Sequence, residues 1–377
     1  MPSVHIAQCS DYASEKVEAA LHQSLQALGL HGMIEPGQRV VLKPNLLQAK
    51  APEKGITTHP AIVAAVARWV SRSGAIPVIA DSPGGLLNAR VLRSVYESTG
   101  MAWAAREGGA SLNYDVSTTR VSCPEGRAAK RLDTMRVFVE ADAIINLPKL
   151  KTHGLVQFTG ATKNLFGTVP GVIKGAYHAR FPSVEQFSAM LIDVLSYHRP
   201  VLTIMDAVVA MEGDGPSSGG LRQVGLLLSS ADGIALDVVA AMLVGMAPQS
   251  IPPLAAAMRR GLTSGQIGDI EVLGMSLDEA HVASFRRPRT GEQHLRMIPS
   301  SVPSWITNQL LARPQAGPRC TACGVCVENC PVQAIAITDG RAQTNHTLCI
   351  RCYCCHELCP EDAVELHQSL LGRMINR

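Results

Sequence analysis

The fold is decided by Arg39-Val-Val-Leu-Lys-Pro-Asn45, with Pro60-Ala-Ile-Val-Ala-Ala-Val-Ala-Arg-Trp-Val-Ser-Arg-Ser73 and Ala75-Ile-Pro-Val-Ile-Ala-Asp81 behind it. Pro36 and Gly37 turn the chain into the first run, which is β-rich over Arg39–Leu46. The second run carries apolar side chains at helical spacing. Pro60 stands near its start, where a missing N–H costs nothing. Gly74 ends it, and Ala75–Asp81 is a second short apolar run. Strand, helix and strand of these lengths predict a βαβ unit with parallel strands.

The alternation extends both ways. Val4–Cys9 reads as a strand and Ser14–Leu28 as a helix; Leu87–Thr99 is helical, followed by an irregular region to about Ala141. Asp142–Leu147, Val201–Met205 and Val224–Leu228 read as strands, and Val184–Tyr197 and Gly233–Val244 as helices. An α/β fold is expected over residues 1–285: a mainly parallel sheet sandwiched by helices. Residues 286–316 read as a linker, with Arg286-Arg287-Pro288-Arg289, Pro299, Pro303, Pro314 and one helical candidate around Trp305–Leu311. A small α+β cysteine-rich domain is expected over 317–368, with a tail over 369–377.

The 377 residues are 46% hydrophobic and 17% charged, a globular composition. A net charge of +3, evenly spread, argues against nucleic acid or an anionic membrane as partner. Asp232 and Asp237 interrupt the most apolar stretch, Val224 to Pro248, so it reads as core and not as a span of about 20 apolar residues. The first residues carry neither a basic region nor an apolar one, and a cytoplasmic protein without a membrane span is expected.

Nine of the eleven cysteines fall between Cys320 and Cys359, which points to metal and away from a disulfide framework. The two halves read Cys320-Thr-Ala-Cys323-Gly-Val-Cys326-Val-Glu-Asn-Cys330-Pro331 and Cys349-Ile-Arg-Cys352-Tyr-Cys-Cys355-His-Glu-Leu-Cys359-Pro360. Both match C-x2-C-x2-C-x3-C-P and resemble the bacterial two-cluster ferredoxins. The resemblance implies two [4Fe–4S] clusters with crossed ligation. Cys320, Cys323, Cys326 and Cys359 would hold one, and Cys349, Cys352, Cys355 and Cys330 the other. Asp339-Gly340 between the halves is a hairpin signal that suits the same fold. Structural zinc is the alternative, but it does not need two three-plus-one runs ending in Cys-Pro. Cys354 is additional and reads as a small buried thiol, although a ligand of an altered cluster is the other reading. His346 and His356 flank the second motif, as tuning groups or as solvated side chains.

Val41-Leu-Lys43-Pro44-Asn45, Thr57-Thr-His-Pro60, Ala80-Asp81-Ser82-Pro83 and Asn146-Leu-Pro-Lys149-Leu-Lys151-Thr-His153 resemble motifs of the DUF362 family. So do Thr159-Gly-Ala-Thr-Lys163-Asn164-Leu-Phe-Gly167 and the segment from Met205-Asp206 to Met211-Glu212-Gly213-Asp-Gly215-Pro216. The resemblance spans about residues 39–245, and several members similarly carry a C-terminal ferredoxin module. It supplies a fold and a motif set, not a reaction.

Chemically, Lys43, Asn45, Asp81, Lys149 and Asp206 stand at predicted strand ends, where open α/β sheets bind ligands. Lys43, Lys149, Lys151 and Lys163 would make that crevice positive, suited to a carboxylate or phosphate, with Asn164 beside them. His153 or Lys163 would handle protons. Asp81 also reads as a helix cap or Asx turn, and Asp206 with Glu212 and Asp214 as either a cation site or a turn. GxGxxG, Walker A, GxSxG and HExxH patterns are absent from the sequence, so neither a dinucleotide nor hydrolysis is indicated. A flavin fingerprint is absent too, although two-electron chemistry would need both clusters or a bound flavin. The expectation is a ferredoxin-dependent oxidoreductase that meets an electron donor or acceptor protein and relays low-potential electrons to a small anionic substrate or an organic cofactor. The alternative is a non-catalytic electron-transfer or redox-sensing module.

Overall fold

The computed structural model describes residues 1–290 and 311–369. The strands of the large domain are β1 (Ser3–Gln8), β2 (Arg39–Pro44), β3 (Ile76–Ile79), β4 (Ser111–Leu112), β5 (Thr118–Ser122) and β6 (Arg131–Met135). They continue with β7 (Ala143–Leu147), β8 (Lys149–His153), β9 (Gln157–Thr159), β10 (Leu202–Glu212), β11 (Gly220–Ser230) and β12 (Glu271–Gly274). One ten-stranded sheet runs β12-β1-β11-β10-β7-β2-β3-β4, with β8 on β10 and β9 on β8; β5 and β6 form a separate hairpin. The βαβ unit lies inside it: β2 is parallel to β3 on one side and β7 on the other, with Leu42 opposite Ile79 and Ile145.

Burial on both faces explains the continuous apolar strands. Val40 and Leu42 pack under the helices Ser14–Ala27, Pro60–Arg72, Ala89–Ser98 and Met101–Gly108. Val41 packs on the other face with Met135, Val137 and Phe138. The helices Val184–His198, Gly233–Leu243 and Pro252–Arg259 build a second core with Met205, Leu226 and Leu228. This is a mainly parallel α/β sandwich. Among the described residues no helix is long and apolar enough to cross a membrane.

Three stretches depart from the sequence reading. β10 and β11 are eleven residues each, more than twice the runs expected over 201–205 and 224–228, and they pair antiparallel. The polar alternation of Leu221-Arg-Gln-Val hid the outer half of β11, where the strand leaves the core. The region read as irregular to Ala141 contains the helix Met101–Gly108 and the β5–β6 hairpin; Gly100 and Gly109 break the helical pattern, and β5 is largely exposed and polar. A further strand, β8, follows Pro148 and carries Lys149, Lys151 and His153 into the sheet.

The small domain has β13 (Arg313–Ala316) on β16 (Val364–His367), and the hairpin of β14 (Ile335–Thr338) and β15 (Arg341–Thr344) around Asp339-Gly340. β13 lies inside the segment read as linker, so this domain begins earlier than residue 317. Arg286 and Arg289, also in that segment, bind Glu212 and Asp214 of the large domain. Most of the helical candidate Trp305–Leu311 and most of the tail lie outside the described residues. The two cysteine repeats share a backbone: Ala322 and Arg351, Gly324 and Tyr353, and Gln333 and Asp362 all have positive φ at matching positions.

Candidate functional site at the domain boundary

β2 delivers Lys43 and Asn45 to the carboxyl edge of the sheet, and β3 delivers Asp81 just beyond Ala80. Lys43 is buried, its Nζ donating to Asp81 Oδ1 at 2.6 Å and to Pro44 O at 2.9 Å. Burial lowers the Lys43 pKa, and the Asp81 charge works against that. Asp81 also accepts from Leu46 N at 2.8 Å, so it anchors the loop after β2 rather than capping a helix. Gly167 lies so close that a Cβ there would run into Asp81 Oδ1 and Lys43 Nζ, which explains a residue without a side chain. Asn164 ties the loops together, donating to Asn146 Oδ1 at 2.8 Å and Lys43 O at 3.2 Å, and accepting from Asn45 Nδ2 at 3.1 Å.

These side chains border a crevice of about 340 Å³. Lys43, Asn45, Asp81, Lys163 and Asn164 line it, joined by Lys174 and His178, which the sequence reading missed. Both missed residues lie on the helix Gly171–Arg180, where their i, i+4 spacing puts them on one face with Gly171 and Gly175. That spacing was the available signal, but nothing in the sequence tells which way the face points. Lys174 Nζ binds Ser82 O and Pro83 O, the latter at 3.3 Å, and burial lowers its pKa to about 7. Burial holds His178 down at about 3, and it stacks on Phe187 with ring centroids 4.2 Å apart. Lys163 Nζ stands 5.2 Å from the Phe166 ring centre.

Four expected site residues do not line the crevice. Lys149 and Asp206 form a closed buried pair at 2.7 Å; Tyr12 joins both, and His59 N donates to the same carboxylate. Lys151 Nζ donates to Ile56 O at 2.6 Å, and burial lowers its pKa to about 7. His153 is buried behind the crevice wall. Its Nδ1 accepts from Leu155 N, and its Nε2 lies 3.1 Å from Glu357 Oε1 without the alignment of a hydrogen bond. Burial would raise the Glu357 carboxyl, but His153, Lys163 and His178 outweigh it and hold the pKa below the usual range. Asp206, Glu212 and Asp214 each pair with a cation instead of gathering into a cation site.

The other wall of the crevice belongs to the small domain: Asn329, Cys330, Pro331, Cys354, Glu357 and Leu358. Several bonds seat that domain. Gln48 donates to Glu357 O, Lys50 Nζ reaches Pro360 O at 2.7 Å, and Lys50 also faces Asp362 at 3.6 Å. Tyr353, buried, packs into the large domain's core beside Gly154, its hydroxyl donating to Ala312 O at 3.1 Å. His356 is buried rather than solvated, with Nδ1 2.6 Å from Val364 O and Nε2 3.3 Å from Asp214 O.

Cys320, Cys323, Cys326 and Cys359 line one small cavity with Val325, Ile337, Ala342 and Ala363. Cys352, Cys349, Cys326 and Cys330 all lie near Cys355, so a cysteine of the first set stands among those of the second. Backbone N–H groups point at three sulfurs: Ala334 N to Cys330 at 3.1 Å, Ala363 N to Cys359 at 3.2 Å and Ala342 N to Cys320 at 3.5 Å. Cys326, Cys355 and Cys359 are themselves the centre of this domain's core, where few aliphatic side chains accompany them. Among the described residues no three His, Cys, Asp or Glu side chains gather tightly enough to chelate a single metal ion. Cys354 is partly buried beside Cys352 and faces the crevice; Cys9 and Cys123 are buried in the large domain.

Fold and site together define an α/β protein whose sheet-end crevice is closed by a cysteine-rich domain. The chain belongs to the DUF362 family, a domain of unknown function matched over residues 40–242. It is 36% identical over 268 residues to a thylakoid-associated protein of Synechocystis sp., covering 69% of this chain and 80% of that relative. The lactate racemase apoprotein of Thermoanaerobacterium thermosaccharolyticum overlays 65% of this chain and 57% of its own at 15% identity, with a TM-score of 0.40. A Thermotoga maritima protein overlays 60% of this chain and 57% of its own at 12% identity and a TM-score of 0.36.

Proposed function

We propose that the protein is a ferredoxin-dependent oxidoreductase. Its eight motif cysteines hold two [4Fe–4S] clusters, and the crevice beneath them holds a small organic anion as substrate. One observation carries this reading: Cys330 and Pro331 line the same cavity as Lys43, Lys163 and Lys174. A ligand in that cavity lies against a cysteine of the second ligand set, with no intervening layer of protein.

The donor set supports clusters over zinc. Thiols ring a cavity lined by aliphatic side chains, and N–H groups aim at sulfurs. Bound clusters would supply one-electron chemistry at a potential set by those N–H bonds and by burial. The chain's own residues do the rest. Lys174 gives the crevice its excess positive charge and holds the anion, Lys43 and Lys163 flank it, and Leu358 and Phe166 exclude water. Exposed Cys323 leaves the first ligand set accessible to a partner protein that donates or accepts electrons. Eleven unpaired cysteines suit a reducing compartment such as the cytoplasm.

The test is iron and sulfide analysis of anaerobically prepared protein, with EPR after dithionite reduction and an absorption scan for flavin. About eight irons and eight sulfides with interacting cluster signals are expected. Zinc in place of iron would overturn the reading.

A further inference from the structure

Three lysines line the crevice against two buried carboxylates, Asp81 and Glu357. Lys43 has Asp81 at 2.6 Å, while Lys163 and Lys174 both stand in the field of Glu357. Lys174 is held only by the carbonyls of Ser82 and Pro83; among the described residues no carboxylate reaches its Nζ at ion-pair distance. Glu328 is exposed at the rim, so the interior carries one positive charge in excess.

Two further features sit at the same end. Ser82 is buried, lines the crevice, and its Oγ has no hydrogen-bond partner, an expensive state unless a ligand supplies one. The ten-residue helix Gly171–Arg180 begins at the crevice with Gly171, adding the positive end of its dipole. Leu47, Leu86 and Leu358 add an apolar part to the lining, and Leu86 is exposed. A cavity of about 340 Å³ is at the low end of small-molecule sites, too small for a dinucleotide.

We propose that the crevice binds a small organic monocarboxylate with an apolar body. Its carboxylate lies on Lys174 Nζ and Ser82 Oγ, and its body lies against Leu47, Leu86 and Leu358. The assignment rests on the crevice being the substrate site of the proposed oxidoreductase. One excess cation matches one carboxylate, whereas a phosphate dianion would leave a charge unanswered and the leucine side chains without an apolar partner.

Calorimetric titration of the anaerobic, iron-loaded protein with hexanoate and phenylacetate tests it, with 2-phenylethanol and inorganic phosphate as comparators. At least one carboxylate binds at a single site, and both comparators bind at least tenfold more weakly. Lys174→Met weakens that carboxylate tenfold or more, and Lys174→Arg restores most of the loss. Ser82→Ala, which removes only an unpartnered hydroxyl and so spares the fold, weakens it several-fold, and Leu86→Asp does the same from an exposed position. The inference is overturned if neither carboxylate binds, if phosphate or 2-phenylethanol binds as tightly, or if Lys174→Met and Ser82→Ala both bind like the parent. Iron content and EPR on the same samples separate the two readings. Full cluster signals without carboxylate binding overturn this inference and leave the oxidoreductase standing; carboxylate binding to protein that never takes up iron does the reverse.

Discussion

Replacing Asp81 by Asn isolates the ion pair beneath the crevice. The amide keeps an oxygen for Leu46 N, so the change removes charge and little else. Lys43, 1% exposed, is then left without its carboxylate. Breaking a buried pair from one side costs about 3–5 kcal/mol, because the surviving charge stays desolvated. The loss has a ceiling, since Lys43 can shed its proton. Burial already lowers its pKa and Asp81 opposes that, while Lys163 pushes the same way as burial; without Asp81 it falls further. The unfolded lysine holds its proton to about 10.4, so the unfolded state binds more protons across the interval between the two values. Stability of the variant therefore rises with pH there, and its deficit against the parent is largest near pH 6 and shrinks toward pH 10. Lys43→Met with Asp81→Asn removes the stranded charge and recovers most of the loss, to within about 1–2 kcal/mol of the parent. Urea unfolding followed by fluorescence of Trp69 and Trp103, both in the large domain, measures it with little contribution from the cysteine domain. A single-variant deficit under about 1 kcal/mol, or a double variant as unstable as the single, would refute the electrostatic account.

Lys151→Met behaves differently, because Lys151 bonds the Ile56 carbonyl, faces no carboxylate at ion-pair distance among the described residues, and has a pKa lowered to about 7. The parent carries up to about 5 kcal/mol of burial cost below pH 7, relieved as pH rises toward 10.5, against roughly 1–3 kcal/mol lost with the Ile56 bond. The variant is thus the more stable at pH 6 and the less stable near pH 10.5, and parallel stability curves would contradict the lowered pKa. Tyr353→Ala empties a fully buried aromatic site between the domains; a loss of about 3–5 kcal/mol in docking is expected, seen as faster proteolysis of the 311–369 segment. On the proposed cluster reading, chelating iron leaves the core around Cys326, Cys355 and Cys359 unsupported, so hydrogen exchange of the small domain is expected to rise sharply while β2, β3 and β7 stay protected. Carboxylate binding in the crevice is lost with it, because Cys330, Leu358 and their neighbours form one wall.

The readable parts of this protein were those set by local periodicity and spacing. A continuous apolar run such as Val40–Leu42 has to be covered on both faces, and a helix of alanines and valines beginning at Pro60 has one place to go, so the βαβ centre follows from the chain alone. The cysteine repeats carry their loop geometry in their spacing. Lys43, Asn45 and Asp81 reach the crevice because strand ends lie at one edge of a parallel sheet, and Lys163 and Asn164 reach it from the short helix Ala161–Asn164. Tertiary structure decided the partners. Lys149 and Lys43 look alike in sequence, yet β8 turns Lys149 into a sealed pair with Asp206 while β2 leaves Lys43 at the cavity floor. Lys174 and His178 carry no mark in the chain that singles them out. Only the packing of their helix against Pro331 and the Ser82 loop makes one an unanswered cation and the other a neutral ring. Charge compensation depends on which distant segments meet: Lys43 and Asp81 stand 38 residues apart, and Lys149 and Asp206 stand 57 apart.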